Sequence, residues 1–124
     1  MFSHVHLRVS NLTESVRFYA TVLQPLGISK SWDDGALVEF GDLALSADGP
    51  VSENVHLAFA AASRAEVEAF HDRGVAAGFT SNGGPGYREH YAHDYFAAYL
   101  LDPDANNVEA VWRDPERRIA QGFR

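Results

Sequence analysis

The stretch Tyr95-Phe96-Ala97-Ala98-Tyr99-Leu100-Leu101-Asp102-Pro103-Asp104-Ala105-Asn106-Asn107-Val108-Glu109-Ala110-Val111-Trp112 reads as a strand, a tight Asp-Pro-Asp-Ala-Asn turn and a second strand. In the second strand a lone carboxylate, Glu109, sits between Val108, Ala110 and Val111. Burying an unpaired charge is costly, or forces it to neutralise, so Glu109 needs a partner. A salt bridge to Arg8 or Arg113 is one solution and a metal ion is another. The turn itself is read simply as a good turn, with Ala105 modestly unfavourable unless Asn106 takes the left-handed position.

Outward from that hairpin, the 124 residues suit one domain with a core large enough to fold without staples. Hydrophobic residues make up 46% of the chain, which excludes a disordered segment. There is no cysteine, so thiolate sites are excluded and any metal must be held by His, Asp or Glu. A net charge of −7, with Lys30 the sole lysine, argues against nucleic acid as a partner. No apolar run reaches membrane-spanning length and the first residues lack a leader pattern, so a cytoplasmic protein with no membrane partner is expected.

From the N-terminus, His4-Val5-His6-Leu7-Arg8-Val9 alternates as a half-buried strand, placing His4, His6 and Arg8 on one face. Asn11 with Glu14 resembles a capping box, and Val16, Tyr19, Ala20 and Leu23 follow at helical spacing until Pro25 and Gly27. Three short strands follow: Ile28 to Trp32, Ala36 to Phe40 and Leu43 to Ala47, with turns at Asp33-Asp34-Gly35 and Gly41-Asp42. After Asp48-Gly49-Pro50 the pattern restarts with Val55-His56-Leu57-Ala58-Phe59 and a helix opened by Ser63 and Glu66. His71 on that helix reads as a surface residue. Laying His56 on His4 pairs Leu7 with Phe59, Glu14 with Glu66 and Phe18 with Phe70, a doubled strand-helix-strand-strand-strand unit. A competing register aligns the identical Val5-His6-Leu7 and Val55-His56-Leu57, and the residues alone leave the choice open.

Gly83 to Asp94, dense in glycine, aromatics and ionisable groups, reads as a loop that lines or covers a site. In it His90, Tyr91 and His93 are candidates for proton transfer, and Arg88 for gripping an anionic group. Asp114 to Gln121 reads as a short, exposed tail helix.

Three segments together resemble the vicinal oxygen chelate superfamily of glyoxalases, bleomycin resistance proteins, fosfomycin transferases and extradiol dioxygenases. They are His4-x-x-Leu7-x-Val9-x-Asn11-Leu12 with Ser15-x-x-Phe18-Tyr19 and Leu23-x-x-Leu26-Gly27, then His56-Leu57-Ala58-Phe59, then Leu101-Asp102-Pro103-Asp104-x-Asn106-x-Val108-Glu109. The resemblance implies an α+β fold of two βαβββ modules (about 1–48 and 54–113) whose sheets curl into a cup with helices outside, assembled as a homodimer. Carried over by position, it implies His4, His56 and Glu109 as ligands of a divalent metal (Fe, Mn, Zn or Ni), with His6 and Tyr99 lining the substrate pocket. The family's remaining ligand position falls on Leu43-Ala44-Leu45, which has no carboxylate; Glu39 lies one strand too early. That departure makes a conventional glyoxalase I doubtful. The resemblance therefore implies a metal-dependent dioxygenase, lyase or transferase acting on a small molecule with vicinal oxygens. The alternative it implies is a metal-free drug-sequestering protein of the bleomycin-resistance kind.

Overall fold

The computed structural model describes residues 1–120, with side chains to Arg118. The elements run β1 (Val5–Arg8), α1 (Leu12–Leu23), a 3-10 turn (Gln24–Leu26), β2 (Lys30–Asp33), β3 (Leu37–Phe40) and β4 (Leu43–Ser46). The same succession repeats in β5 (His56–Ala60), α2 (Arg64–Ala76), β6 (Thr80–Tyr87), β7 (Tyr95–Leu101) and β8 (Asn107–Arg113), and α3 (Pro115–Ala120) follows. Gln121, the last residue of the expected tail helix, lies outside the described residues. Two four-stranded mixed sheets result, ordered β1-β4-β3-β2 and β5-β8-β7-β6, the first strand of each running parallel to the last. The fold is α+β, built of two βαβββ modules.

Each helix is started by the side chain that the sequence offers. Asn11 Oδ1 accepts from Glu14 N at 3.0 Å, and Ser63 Oγ accepts from Glu66 N at 3.2 Å, satisfying N–H groups the first turn leaves open. The two caps fix how the modules superpose: the step that carries Asn11 onto Ser63 carries His4 onto His56 and Val5 onto Leu57. The identical tripeptides are therefore not structural counterparts.

One hydrophobic core serves both modules. Phe18, Tyr19, Val22, Leu45, Phe70, Leu100 and Val108 are fully buried, and each such large apolar side chain contributes about 1.5–3 kcal/mol. The helices cross closely at Gly74, where a Cβ would lie 2.5 Å from Leu100 Cδ1 and 3.2 Å from Val22 Cγ1. The β7–β8 turn ties the modules together. Asp102 is 4% exposed; its Oδ2 accepts from the Tyr19 hydroxyl of α1 at 2.7 Å and from Asn106 Nδ2, while Oδ1 accepts from the backbone of Asp104 and Asn106. Asp104 accepts from the backbone and hydroxyl of Ser10. The turn is thus more than a reversal of the chain.

Three local expectations are corrected. The Gly83 to Asp94 loop is shorter than expected, because Gly83 to Tyr87 belong to β6, an edge strand whose two register shifts absorb its glycines and Pro85. At the turn it is Ala105, not Asn106, that is left-handed (φ 64°), since Asn106 is buried and its side chain is committed to Asp102 and Val55. His71 is largely covered, its side chain 13% exposed and hydrogen-bonded to Ser81 at 2.7 Å.

Candidate functional site

Glu109 is 1% exposed in the middle of β8, yet no arginine reaches it: Arg8 pairs with Asp48 and Arg113 with Asp94. Its partners are His56, whose Nε2 donates to Oε1 at 2.7 Å, and Tyr95, whose hydroxyl donates to Oε2. His56 leaves about half of its side chain in solvent, so the pair is closed below and open above. Burial, then the Glu109 carboxylate, pushes the Tyr95 hydroxyl well above the usual tyrosine range, keeping it a donor. Tyr95 was missed as a site residue, although its shared strand parity with Tyr99 placed it on the right face.

Tyr99 pairs with Glu109 across the β7–β8 ladder. Its buried hydroxyl has no hydrogen-bond partner and is pushed up to about 12 by burial and by Glu109. A buried donor without a partner is costly and is ready to contact a ligand oxygen. Arg88 lies over the Tyr99 ring with Cζ 5.1 Å from its centroid, its Nη2 donating to Gly84 O at 2.6 Å.

The connecting residues from Arg88 to Asp94 divide in two. Tyr91 packs on Tyr95 with ring centroids 5.1 Å apart, and His90 packs on Tyr91 at 4.2 Å, an aromatic stack ending at Glu109's partner. His93 turns to Glu89 at 2.8 Å, which Arg117 of α3 also binds. Asp94 is buried and gripped by Arg113 through two hydrogen bonds and by Arg118. His93 therefore belongs to the cluster that anchors the loop, and Tyr91 is the candidate nearest the Glu109 pair.

His6 lies on β1 of the other sheet, and His4 immediately precedes that strand. With Leu37, Glu39, Asp42 and Ala44 they line a cleft of about 360 Å³. His6 Nε2 donates to Ser46 Oγ at 2.7 Å, Ser46 donates to Asp48 at 2.8 Å, and His4 Nδ1 is bound to Ser3 Oγ at 3.0 Å. The structure brings His56 and Glu109 together, and no hydrogen bond or ion pair of theirs reaches His4. No three His, Asp or Glu side chains among the described residues stand together as a metal-holding group. Ligands about 2.0–2.2 Å from one ion in tetrahedral geometry stand about 3.4 Å apart. His56 Nε2 and Glu109 Oε1 are hydrogen-bonded at 2.7 Å and would need to part by less than about 1 Å to share an ion, with Tyr95 then the outer partner orienting the carboxylate. These residues fit as half of an open metal site.

A family model described as the Glyoxalase/Bleomycin resistance protein/Dioxygenase superfamily matches residues 1–110. Among solved structures, a glyoxalase/bleomycin resistance protein from Albidiferax ferrireducens T118 is 32% identical, with a TM-score of 0.80 over 91% of this chain and 99% of that one. A lactoylglutathione lyase from Agrobacterium tumefaciens is 22% identical (TM-score 0.66, 90% of this chain, 92% of that one). A genomically encoded fosfomycin resistance protein from Listeria monocytogenes is 19% identical (TM-score 0.70, 95% and 97%). The last two are alike in fold alone. No curated protein matches the chain.

Proposed function

Because the chain belongs to the glyoxalase/bleomycin resistance protein/dioxygenase superfamily, we propose that it is a metal-dependent enzyme acting on a small molecule with two adjacent oxygens. The observation that carries this reading is the buried Glu109, held by Tyr95 and hydrogen-bonded at 2.7 Å to a half-exposed His56. When bound, a divalent ion would supply Lewis acidity toward the substrate oxygens. The side chains divide the remaining work. Glu109 and His56 hold the ion, Tyr95 fixes Glu109, the Tyr99 hydroxyl offers a hydrogen bond to a substrate oxygen, and Arg88 and Tyr91 stand over the open side.

The third ligand is His4, supplied by a second copy of the chain. In support, His4 immediately precedes β1 of the first sheet while the His56–Glu109 pair sits on the second, and β2, His4, His6 and His56 are all exposed. In a two-fold dimer the first sheet of each copy meets the second sheet of the other, so one contact completes two sites.

Protein purified without chelator and assayed for bound Fe, Mn, Zn and Ni tests the reading, with molar mass measured in the same buffer. About one ion per chain in a dimer is expected, lost in both His56→Ala and His4→Ala. The stack of His90, Tyr91 and Tyr95, in a chain of net charge −7, favours a second reading, metal-free capture of a flat cationic ligand. Metal-free protein whose melting temperature rises with such a compound and ignores divalent ions would establish that reading instead.

A further inference from the structure

The first module lacks a carboxylate where the second has Glu109, but the strand ladders show where another one arrives. Val5 pairs with Leu43 as Leu57 pairs with Val108, so Ala44 occupies the place of Glu109. Glu39 pairs with Ala44 as Tyr99 pairs with Glu109, so Glu39 occupies the place of Tyr99. Directly opposed residues share a face with Cβ atoms about 4.5–5.5 Å apart, within the span of a glutamate side chain. Ala44 is small and lines the same cleft as Glu39, so no β4 side chain stands between the Glu39 carboxylate and that cleft.

We propose that Glu39 is the carboxylate that the first module contributes to the metal site, reached from β3 where Ala44 on β4 offers none. This rests on the metal reading above. Glu39 lines the same cleft as His4 and His6. It is half-buried, and no described hydrogen bond or ion pair engages its carboxylate: Ser31 bonds only its carbonyl at 3.3 Å, and Lys30 is taken by Asp33. A half-buried carboxylate with no described partner shares that cleft with two imidazoles; the three form no metal-holding group alone, and the His56–Glu109 pair of a second copy would complete one. Asp42, the other acid of the cleft, is exposed on the hairpin turn and out of the row. Both histidines also have one ring nitrogen held by a hydroxyl, His4 by Ser3 and His6 by Ser46, the outer support that orients an imidazole toward an ion.

The test is calorimetric titration of the metal-free full chain with Zn(II) and with Mn(II), for wild type, Glu39→Gln, Glu39→Gln/Ala44→Glu and His56→Ala. Loss of an outer partner alone weakens metal sites about 10–100-fold, so loss of a ligand in Glu39→Gln should cost at least about 100-fold in Kd. The double variant, which returns the carboxylate to β4, should recover to within about tenfold of wild type. If Glu39→Gln titrates like wild type while His56→Ala does not bind, the role of Glu39 is overturned and the metal reading stands. If wild type binds neither of these ions, nor Fe(II) or Ni(II) titrated in the same way, both fall.

Discussion

Across the first sheet the paired residues Trp32, Glu39, Ala44 and His6 form one row; across the second the row is Gly83, Tyr99, Glu109 and Ala58. The ladders superpose, but acid and large side chain exchange strands: a small residue stands on β4 and the acid on β3, against an acid on β8 and a tyrosine on β7. In the second row each Glu109 oxygen has one partner, His56 on Oε1 and Tyr95 on Oε2, which leaves lone pairs on both for an ion. In the first row Glu39 is open. The two modules share a backbone ladder but differ along the row, because its side chains face away from the core in which Leu45 and Val108 pack.

The comparison breaks most severely at Asp102, since that side chain bonds α1 of the first module to the last turn of the second across the shared core. Asp102→Ala leaves the Tyr19 hydroxyl buried without its acceptor and releases Asn106, and we expect a loss of about 3–4 kcal/mol in urea unfolding. The expected second sign is divergence of fluorescence and far-ultraviolet transitions that coincide in wild type. Coincident transitions with a loss under 1 kcal/mol would mean that the shared core alone couples the modules.

Next in size is Tyr95→Phe, which frees Glu109 Oε2 and makes the second row as open as the first. A drop of about 10–100-fold in metal affinity is expected with secondary structure unchanged, read by the same titration that tests Glu39. Unchanged affinity would show that His56 alone orients the carboxylate.

How much of this was legible in the residues follows from what kind of constraint each feature obeys. Caps, the Gly27 stop and the alternation of Leu7 and Val9 are local, so both modules were readable. Glu109 was legible because a charge in an apolar run is a local contradiction. Tyr95 as its partner was not, since it pairs in the ladder with Arg113 and reaches Glu109 only by the length of its ring. Glu39 was seen and placed on the correct strand, but that it faces the cleft depends on a register across three strands. The extent of β6 was hidden by glycines and a proline that an interior strand would reject and an edge strand accepts.

The two β-to-β connections also differ. The first module turns through Asp34, whose Oδ1 accepts from Ala36 and Leu37 N; the second uses the longer loop ending at Asp94. Arg113, first through its hydrogen bonds and then through its charge, holds the Asp94 carboxyl below the usual aspartate range. A group depressed in this way contributes stability that is full above the unfolded value of about 4 and is lost as pH falls through the folded one. Solvent around both arginines screens the pair, so Asp94→Asn should cost only about 1–2 kcal/mol at pH 7. The cost should shrink toward zero as pH falls through the lowered folded value of Asp94, measured as a flatter acid limb of stability against pH. An unchanged limb would assign the acid dependence to another carboxylate.

The smallest effect separates the two hairpin turns. The β3–β4 turn uses Gly41 at φ 57°, and the β7–β8 turn sets Ala105 at φ 64°. A left-handed residue with a Cβ costs roughly 1–2 kcal/mol, a strain that Gly41 avoids and Ala105 bears. Ala105→Gly removes the strain but gives the unfolded chain more freedom, so the net gain should be about 0.5–1 kcal/mol, or roughly 2–5 °C in Tm. Metal affinity should not move, because Ala105 N bonds Asp102 O through the backbone and glycine keeps that bond. A fall in Tm would mean that Ala105 gains more from restricting the unfolded chain than it loses in the turn, and the strain at φ 64° would then be small.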